Sequence, residues 1–362
     1  VEELELLYNK GIRFFYMSDD TFTLDKKRVI AICRKIIDRG LNISWFAISR
    51  ADCVNERVLY WMRKAGCIQI SYGIESGSKQ IRTVLGKPLK TDQVKKAFSL
   101  THRFGILARA YFIYGAPGET WKTIKETIAL LKAVKPFVVI SYILEIYPGT
   151  RLYDDFLART NQTDDVWLQR VEGVCHFEYD PHLTQDDVLA FGKAIRDALY
   201  ANLSAFVDTL ELVDDAEFFE MHADFCSRLG MTLSHGDYAH VEEIRDRRAI
   251  AERLYQRALT YAPSERAYLG LGLLKQGNRD VPGAVAILSE GVKRFPDSEG
   301  LNLSLATSYM NQGRFTAALR ILHRFEQSPQ ALHHIAACYR ALGDTRKEAR
   351  FREQAESYKN WP

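Results

Sequence analysis

The six cysteines of this 362-residue chain are Cys33, Cys53, Cys67, Cys175, Cys226 and Cys338. The nearest two, Cys53 and Cys67, are 14 residues apart, which excludes a short metal-binding cluster within the chain. So few cysteines in so long a chain also exclude a disulfide scaffold and fit a reducing, cytoplasmic setting. No apolar run approaches the ~18 residues of a membrane helix. The opening Val1-Glu2-Glu3-Leu4 lacks the basic stretch and apolar run of a signal peptide. It also lacks an initiator Met, so the natural N-terminus is expected upstream. Nothing in the composition signals nucleic-acid or membrane partners. At 47% apolar and 26% charged, it is that of an ordinary globular protein.

The net charge of +3 is unevenly spread. Residues 1–162 carry 26 basic and 16 acidic side chains, residues 163–250 carry 7 and 19, and residues 251–362 carry 16 and 11. These shifts, with the change of periodicity, divide the chain into an α/β region (1–162), an acidic helical connector (163–236) and a helical repeat region (237–362).

In the first region apolar strands alternate with amphipathic helices. Strands are expected over 12–17, 43–48, 67–74, 107–114 and 137–146, with helices over 26–39, 55–65, 91–104 and 120–134. Gly40, Gly66 and Gly105 follow three of these helices. Five β–α units call for a parallel sheet, and the continuous apolar strands suggest burial on both faces. An open doubly wound sheet and a closed barrel both satisfy the pattern. In the connector, residues 184–207 read as one long helix opened by Thr184 and Asp187. In the last region Ala251, Tyr255, Ala258 and Pro263, then Ala284, Leu288, Gly291 and Pro296, then Ala318, Leu322 and Phe325 recur at the offsets of tetratricopeptide helices. Gly277, Gly313 and Gly343 fall at the expected inter-helix turns, 36 and 30 residues apart. The resulting short right-handed array would lean on the acidic block as a cap and bind a protein or peptide partner.

Polar residues collect just past each strand: Asp19-Asp20, Arg50-Ala51-Asp52, Glu75-Ser76-Gly77, Gly115-Ala116-Pro117-Gly118-Glu119 and Tyr147-Pro148-Gly149. Strand ends are where parallel α/β folds hold ligands. Carboxylates accept from an ammonium or from ribose hydroxyls, Arg50 can fork onto a carboxylate, and Gly-rich backbone allows close approach. Such a ring suits a polar zwitterion carrying a sugar. An aldolase-like alternative is disfavoured because Lys87 and His102, its nearest bases, lie in a loop and a helix. His235, Asp237 and His240 read as a polar loop rather than a metal site.

The ordered motifs Asp-Asp-Thr-Phe, Arg-x-Asp, Gly-x-Glu-Ser-Gly, Gly-x-Pro-Gly-Glu-Thr and Tyr-Pro-Gly-Thr resemble strands two to six of the radical S-adenosylmethionine (radical SAM) superfamily. The resemblance covers roughly residues 1–157 and is to the branch that often carries an upstream cobalamin-binding domain and resembles methylthiotransferases. It implies a partial (βα)6 barrel followed by the all-α tetratricopeptide-like repeats. It also implies a 4Fe–4S cluster on which S-adenosylmethionine is reductively cleaved, with cobalamin as an associated cofactor and flavodoxin or ferredoxin as electron donor. On this resemblance Asp19 and Asp20 lie near the methionine amino group and Arg50 near its carboxylate. Glu75 and Ser76 contact the ribose or methionine end. Gly115, Pro117 and Glu119 lie beside the adenine, flanked by Tyr147 and Pro148. The first strand and its Cys-x3-Cys-x2-Cys loop are absent from the sequence, so it should not perform the chemistry alone. It is expected to be an N-terminal truncation; the alternative is a relic barrel carrying an interaction scaffold. The reading frame upstream should encode the cysteine triplet within roughly 50 residues of Val1, the span of one βα unit and its loop. A stop codon in that interval would favour the relic.

Overall fold

The computed structural model describes residues 1–170 and 172–358. The chain forms two units: Val1–Asp214 with Glu242–Arg245, and Asp215–Val241 with the chain from Asp246 onward. The stretch 163–236 lies partly in each. The last four residues of the expected repeat region fall outside the described residues.

In the first unit, α1 (Glu2–Asn9) precedes β1 (Phe14–Met17), α2 (Lys26–Asp38), β2 (Ser44–Ser49), α3 (Glu56–Lys64) and β3 (Cys67–Glu75). Then come α4 (Lys79–Val84), α5 (Thr91–Arg103), β4 (Leu107–Tyr114), α6 (Trp121–Val134) and β5 (Val138–Ile143). The five strands are parallel and pair in sequence order, β1-β2-β3-β4-β5. A doubly wound sheet reverses its strand order at a switch point. This sheet has no reversal, so its winding is that of a partial (βα) barrel.

One face is packed by helices. Trp45, Ala47, Ile70, Tyr72, Ile74, Ala108, Ala110 and Phe112 are buried there, and Tyr72 meets Phe98 of α5. The opposite face is only partly covered: β2 and β4 alternate buried and half-buried residues along their lengths, and Phe14 and Tyr16 of β1 are exposed. The expected burial on both faces is therefore corrected. A barrel interior is reached by side chains from strands alone, and here they include polar Gln69 and Ser71 of β3 and Arg109 of β4, which is in register with Ser71.

The expected fifth strand is also interrupted. After β5 the chain turns at Leu144 and forms β6 (Glu145–Ile146), which leaves the main sheet. After α7 (Arg151–Thr160) and α8 (Val166–Gln169), β7 (Val174–Cys175) pairs antiparallel with β6. Ile146, Tyr153, Phe156 and Val174 make a small core of their own there. The long helix expected from Thr184 is two helices, α9 (Gln185–Tyr200) and α10 (Leu203–Asp208). Thr184 and Asp187 do form the capping box. Asn202 breaks the run because its side-chain amide donates back to the Ala198 carbonyl at 2.8 Å.

The second unit contains α11 (Phe219–Ser234), α12 (Arg247–Tyr261), α13 (Glu265–Gly277), α14 (Val281–Arg294), α15 (Glu299–Asn311), α16 (Phe315–Leu322), α17 (Pro329–Ala341) and α18 (Thr345–Ser357). Successive helices pack on one another, and α11, α13, α15 and α17 also touch in series. Small residues set the spacing. Fully buried Tyr255 of α12 lies against Gly230 and Gly270, where an added Cβ would collide with its ring. Its hydroxyl meets Ser234 Oγ at 2.8 Å. Gly272 makes similar room for Leu288, and Gly291 for Tyr268.

Tyr255→Ala should lower the stability of this unit by about 3–5 kcal/mol, as for other buried aromatics. Gly270→Ala should cost about 1–3 kcal/mol through overpacking. Urea unfolding followed by circular dichroism checks both. A fragment of residues 215–358 should melt cooperatively, whereas 237–358, which lacks α11, should not. Equal melts would show that α11 is dispensable.

Candidate functional site

Because all five strands run the same way, the loops that follow them leave the sheet at one edge. After β1, Phe22 packs edge-on against Trp45 and the hydroxyls of Thr23 and Ser49 bond to each other. These anchors leave Asp19 and Asp20 exposed in the intervening turn. Neither caps α2; Asp25 does that, accepting from the amides of Lys27 and Arg28. Asp19 instead pairs with Arg28 at 3.3 Å.

After β2, Arg50 is not free. It forks onto Asp52 through two hydrogen bonds of 3.1 and 2.8 Å, and the bond from Arg50 holds Asp52 below the usual carboxylate range. A ligand carboxylate at Arg50 would have to share or displace Asp52.

β3 ends on Glu75 with φ +66, a left-handed conformation uncommon for a residue bearing a side chain. A bulge in the β3–β4 register falls between Gly73 and Glu75. The turn brings the carboxylate back over Gly73, where a Cβ would stand 2.7 Å from Glu75 Oε1. The Lys87 ammonium lies 3.1 Å from that same oxygen. Lys87 was set aside in the sequence as a loop residue; the tight turn after α4 is what carries it to the strand end. Ser76 is completely buried, and its hydroxyl lies 3.1 Å from that of Thr127 on α6. Arg82 donates to the carbonyls of Ser76 and Gly77, so this turn is locked to its surroundings.

After β4, Gly115 (φ +82) and Gly118 (φ +73) shape a tight loop. Its amides were expected to be open to a ligand. The structure corrects this for two of them: Gly115 and Ala116 donate to Glu119 Oε2 at 2.6 and 3.2 Å. Glu119 is 6% exposed, and its second oxygen has no partner. Burial pushes its carboxyl up to about 7, against the pull of the two amides. Pro117 is half-buried in this loop, next to exposed Gly118. Beyond β6, Tyr147 and Pro148 are exposed, and the Tyr147 hydroxyl donates to Glu145 at 2.8 Å. Among the described residues, no hydrogen bond joins Asp19, Asp20 or Arg50 to Glu75; a shared sheet edge brings them together.

Residues 1–131 match the family model of the radical SAM superfamily. The match spans 131 of the 362 residues, from α1 to the body of α6. An uncharacterized methyltransferase of Pyrococcus horikoshii is 40% identical over 159 residues, covering 44% of this chain and 35% of that protein. The anaerobic magnesium-protoporphyrin IX monomethyl ester cyclase of Rubrivivax gelatinosus is 31% identical over 158 residues, 43% of this chain and 28% of that protein. A solved radical S-adenosylmethionine methyltransferase from Kitasatospora setae, with cobalamin and a 4Fe–4S cluster bound, aligns at 17% identity with a TM-score of 0.44. It covers 70% of this chain and 54% of that one. The chain spans about a third of the length of the curated relatives it matches.

The radical SAM family implies a 4Fe–4S cluster, and the cysteines present do not fit it. Among the described residues, no three Cys, His, Asp or Glu side chains are grouped to hold a metal. Cys33 and Cys67 are fully buried, and burial pushes the Cys33 thiol up to about 12, far from the thiolate a cluster needs.

Anaerobic reconstitution of this chain with iron and sulfide should therefore leave no stoichiometric brown chromophore. Glu119 generates a second expectation. Its folded-state pKa lies above its ordinary value, so the proton it retains favours the fold at low pH. That contribution, on the order of 3 kcal/mol at most, should fade as pH rises from about 4.5 through about 7. Unfolding midpoints of the wild type and Glu119→Gln, measured from pH 4 to pH 8, should diverge over that window. Parallel curves would contradict the buried, protonated carboxyl.

Proposed function

We propose that residues 1–157 are the S-adenosylmethionine-binding part of a radical SAM enzyme, with the cluster ligands supplied by chain outside these 362 residues. The observation that carries this reading is the Glu75 turn. A strained residue holds a nearly buried carboxylate at the strand edge, already in contact with an ammonium. Strain of this kind costs roughly 1–3 kcal/mol and persists where the surroundings enforce it. An acceptor that accommodates the Lys87 ammonium suits the ammonium of a methionine moiety. Exposed Asp19 and Asp20 suit further amino or hydroxyl donors, and the Gly115–Glu119 loop offers its outer surface to the adenine. Tyr147 and Pro148 would flank that ring, Ser76 would hold the turn from behind, and Arg50 would meet the methionine carboxylate after exchange with Asp52.

Two relatives are named as a methyltransferase and a cyclase, and either reaction class agrees with the barrel described. A flavodoxin- or ferredoxin-type electron donor and a cobalamin cofactor go with the family reading. The helical unit is best read as a tetratricopeptide-like scaffold for a protein or peptide partner, supported by its small-residue spacing and serial helix pairs. The relic alternative draws on the missing cluster ligands alone.

Titration calorimetry with S-adenosylmethionine tests the reading. The chain should bind it, and Glu75→Ala and Asp20→Ala should each weaken binding by ~1.5–3 kcal/mol, the range for a hydrogen bond to a charged group. Lys87→Met should spare or tighten binding, because it frees Glu75. Unchanged affinity in both carboxylate variants would remove those residues from the site.

A further inference from the structure

The open face of the sheet holds a group of side chains that the strand-end loops do not use. Ile48, Ser71, Arg109 and Val138 lie in register across β2, β3, β4 and β5. One pleat below, Tyr16 and Phe46 stack with ring centroids 4.6 Å apart and planes at 14°. In the two pleats above, the rings of Tyr111 and Tyr142 stand 6.2 Å apart. Tyr16 and Tyr142 are about half exposed, at 48% and 57%, so flat ring surface is accessible on both sides of the polar row.

Within that row two polar groups are unsatisfied. The Arg109 Nε is shut off from solvent with no hydrogen-bond partner, and so is the Ser71 hydroxyl beside it. Among the described residues no carboxylate pairs with Arg109. Arg109 as a whole is half-buried, but its Nε–H is a solvent-excluded donor whose lost hydrogen bond nothing in its surroundings replaces. The fold has no evident need of it, since the neighbouring positions in register are Val138 and Ser71. A planar fork of donors with a hydroxyl at its side matches a carboxylate. Aromatic surfaces above and below match a flat, conjugated body, for which offset stacking adds to simple burial.

We propose that this face binds a flat aromatic or conjugated carboxylate, its acid group held by Arg109 and Ser71 and its ring system laid against the Tyr16–Phe46 or Tyr111–Tyr142 surface. The inference rests on the preceding functional reading only in taking this ligand as the enzyme's substrate; the binding site itself stands on the sheet face.

Calorimetric titration of the full chain with 2-naphthoate tests it. One site is expected, weakened about tenfold or more in Arg109→Met, as for loss of a hydrogen-bonded charge pair. The uncharged 2-naphthamide should bind equally weakly to both proteins, and cyclohexanecarboxylate several-fold more weakly than 2-naphthoate. The unliganded Arg109→Met protein should melt at the wild-type temperature or above it, because it removes a buried donor that has no hydrogen-bond partner. No saturable naphthoate binding, equal binding by Arg109→Met, equal binding of the cyclohexane acid, or a lower melting temperature in the variant would each overturn the proposal. S-adenosylmethionine titrated into the same samples separates the two readings. Its failure beside an Arg109-dependent naphthoate site would sink the cofactor reading and support this one, and the reverse pattern would sink this one alone.

Discussion

The constraint on which the first unit depends is the in-order parallel pairing of its five strands. Parallel neighbours cannot be joined by a tight turn, so each crossover carries a helix back along one face of the sheet. The buried residues of β2, β3 and β4 then form the core against those helices. Two consequences are fixed at once. Every strand-end loop emerges at the same edge, and the face turned from the helices keeps side chains that no helix covers. The carboxylate-bearing loops and the half-exposed face with Arg109 both follow from one winding pattern.

At that edge the loops divide by how fully their polar groups are answered from within. The turn after β3 and the loop after β4 are closed systems. Ser76 meets Thr127, Arg82 holds two carbonyls, and Glu119 takes two amides. Their polar residues build the shape of the loops, which is how motif residues at a strand end can be completely buried. Asp19, Asp20, Tyr147 and Pro148 lie exposed, and Glu75 stands between the two classes, nearly buried but facing a lysine. The arrangement is a rigid frame that carries a few exposed charges.

The helical unit obeys a different rule. A helix pair cannot bury its own apolar stripe, so its stability comes from neighbours stacked at close range. Closeness requires that large and small residues alternate across the contact. Tyr255 set against Gly230 and Gly270 is the clearest case, because glycines from two helices open the space that one aromatic ring fills.

The sequence alone determined the element order. Period-2 and period-3.6 patterns located all five main strands to within about two residues at their N-terminal ends, and the helices that end at Gly40, Gly66 and Gly105, because those signals are local. Motif order also pointed to Asp19, Asp20, Glu75 and the Gly115–Glu119 loop as strand-end residues. Tertiary structure decided the rest. Strand order, which separates a barrel winding from a doubly wound sheet, is a matter of pairing between distant segments. The burial of both sheet faces was misjudged because an apolar strand reads alike whether its second face meets helices or a lumen. Fifth-strand residues 145–146 left the sheet because a partner some 30 residues later, β7, claimed them. Lys87 and Arg109 were passed over for the same reason. A charge in a loop or a strand carries no local mark of its neighbours, and only the fold put one beside Glu75 and left the other without a counter-ion.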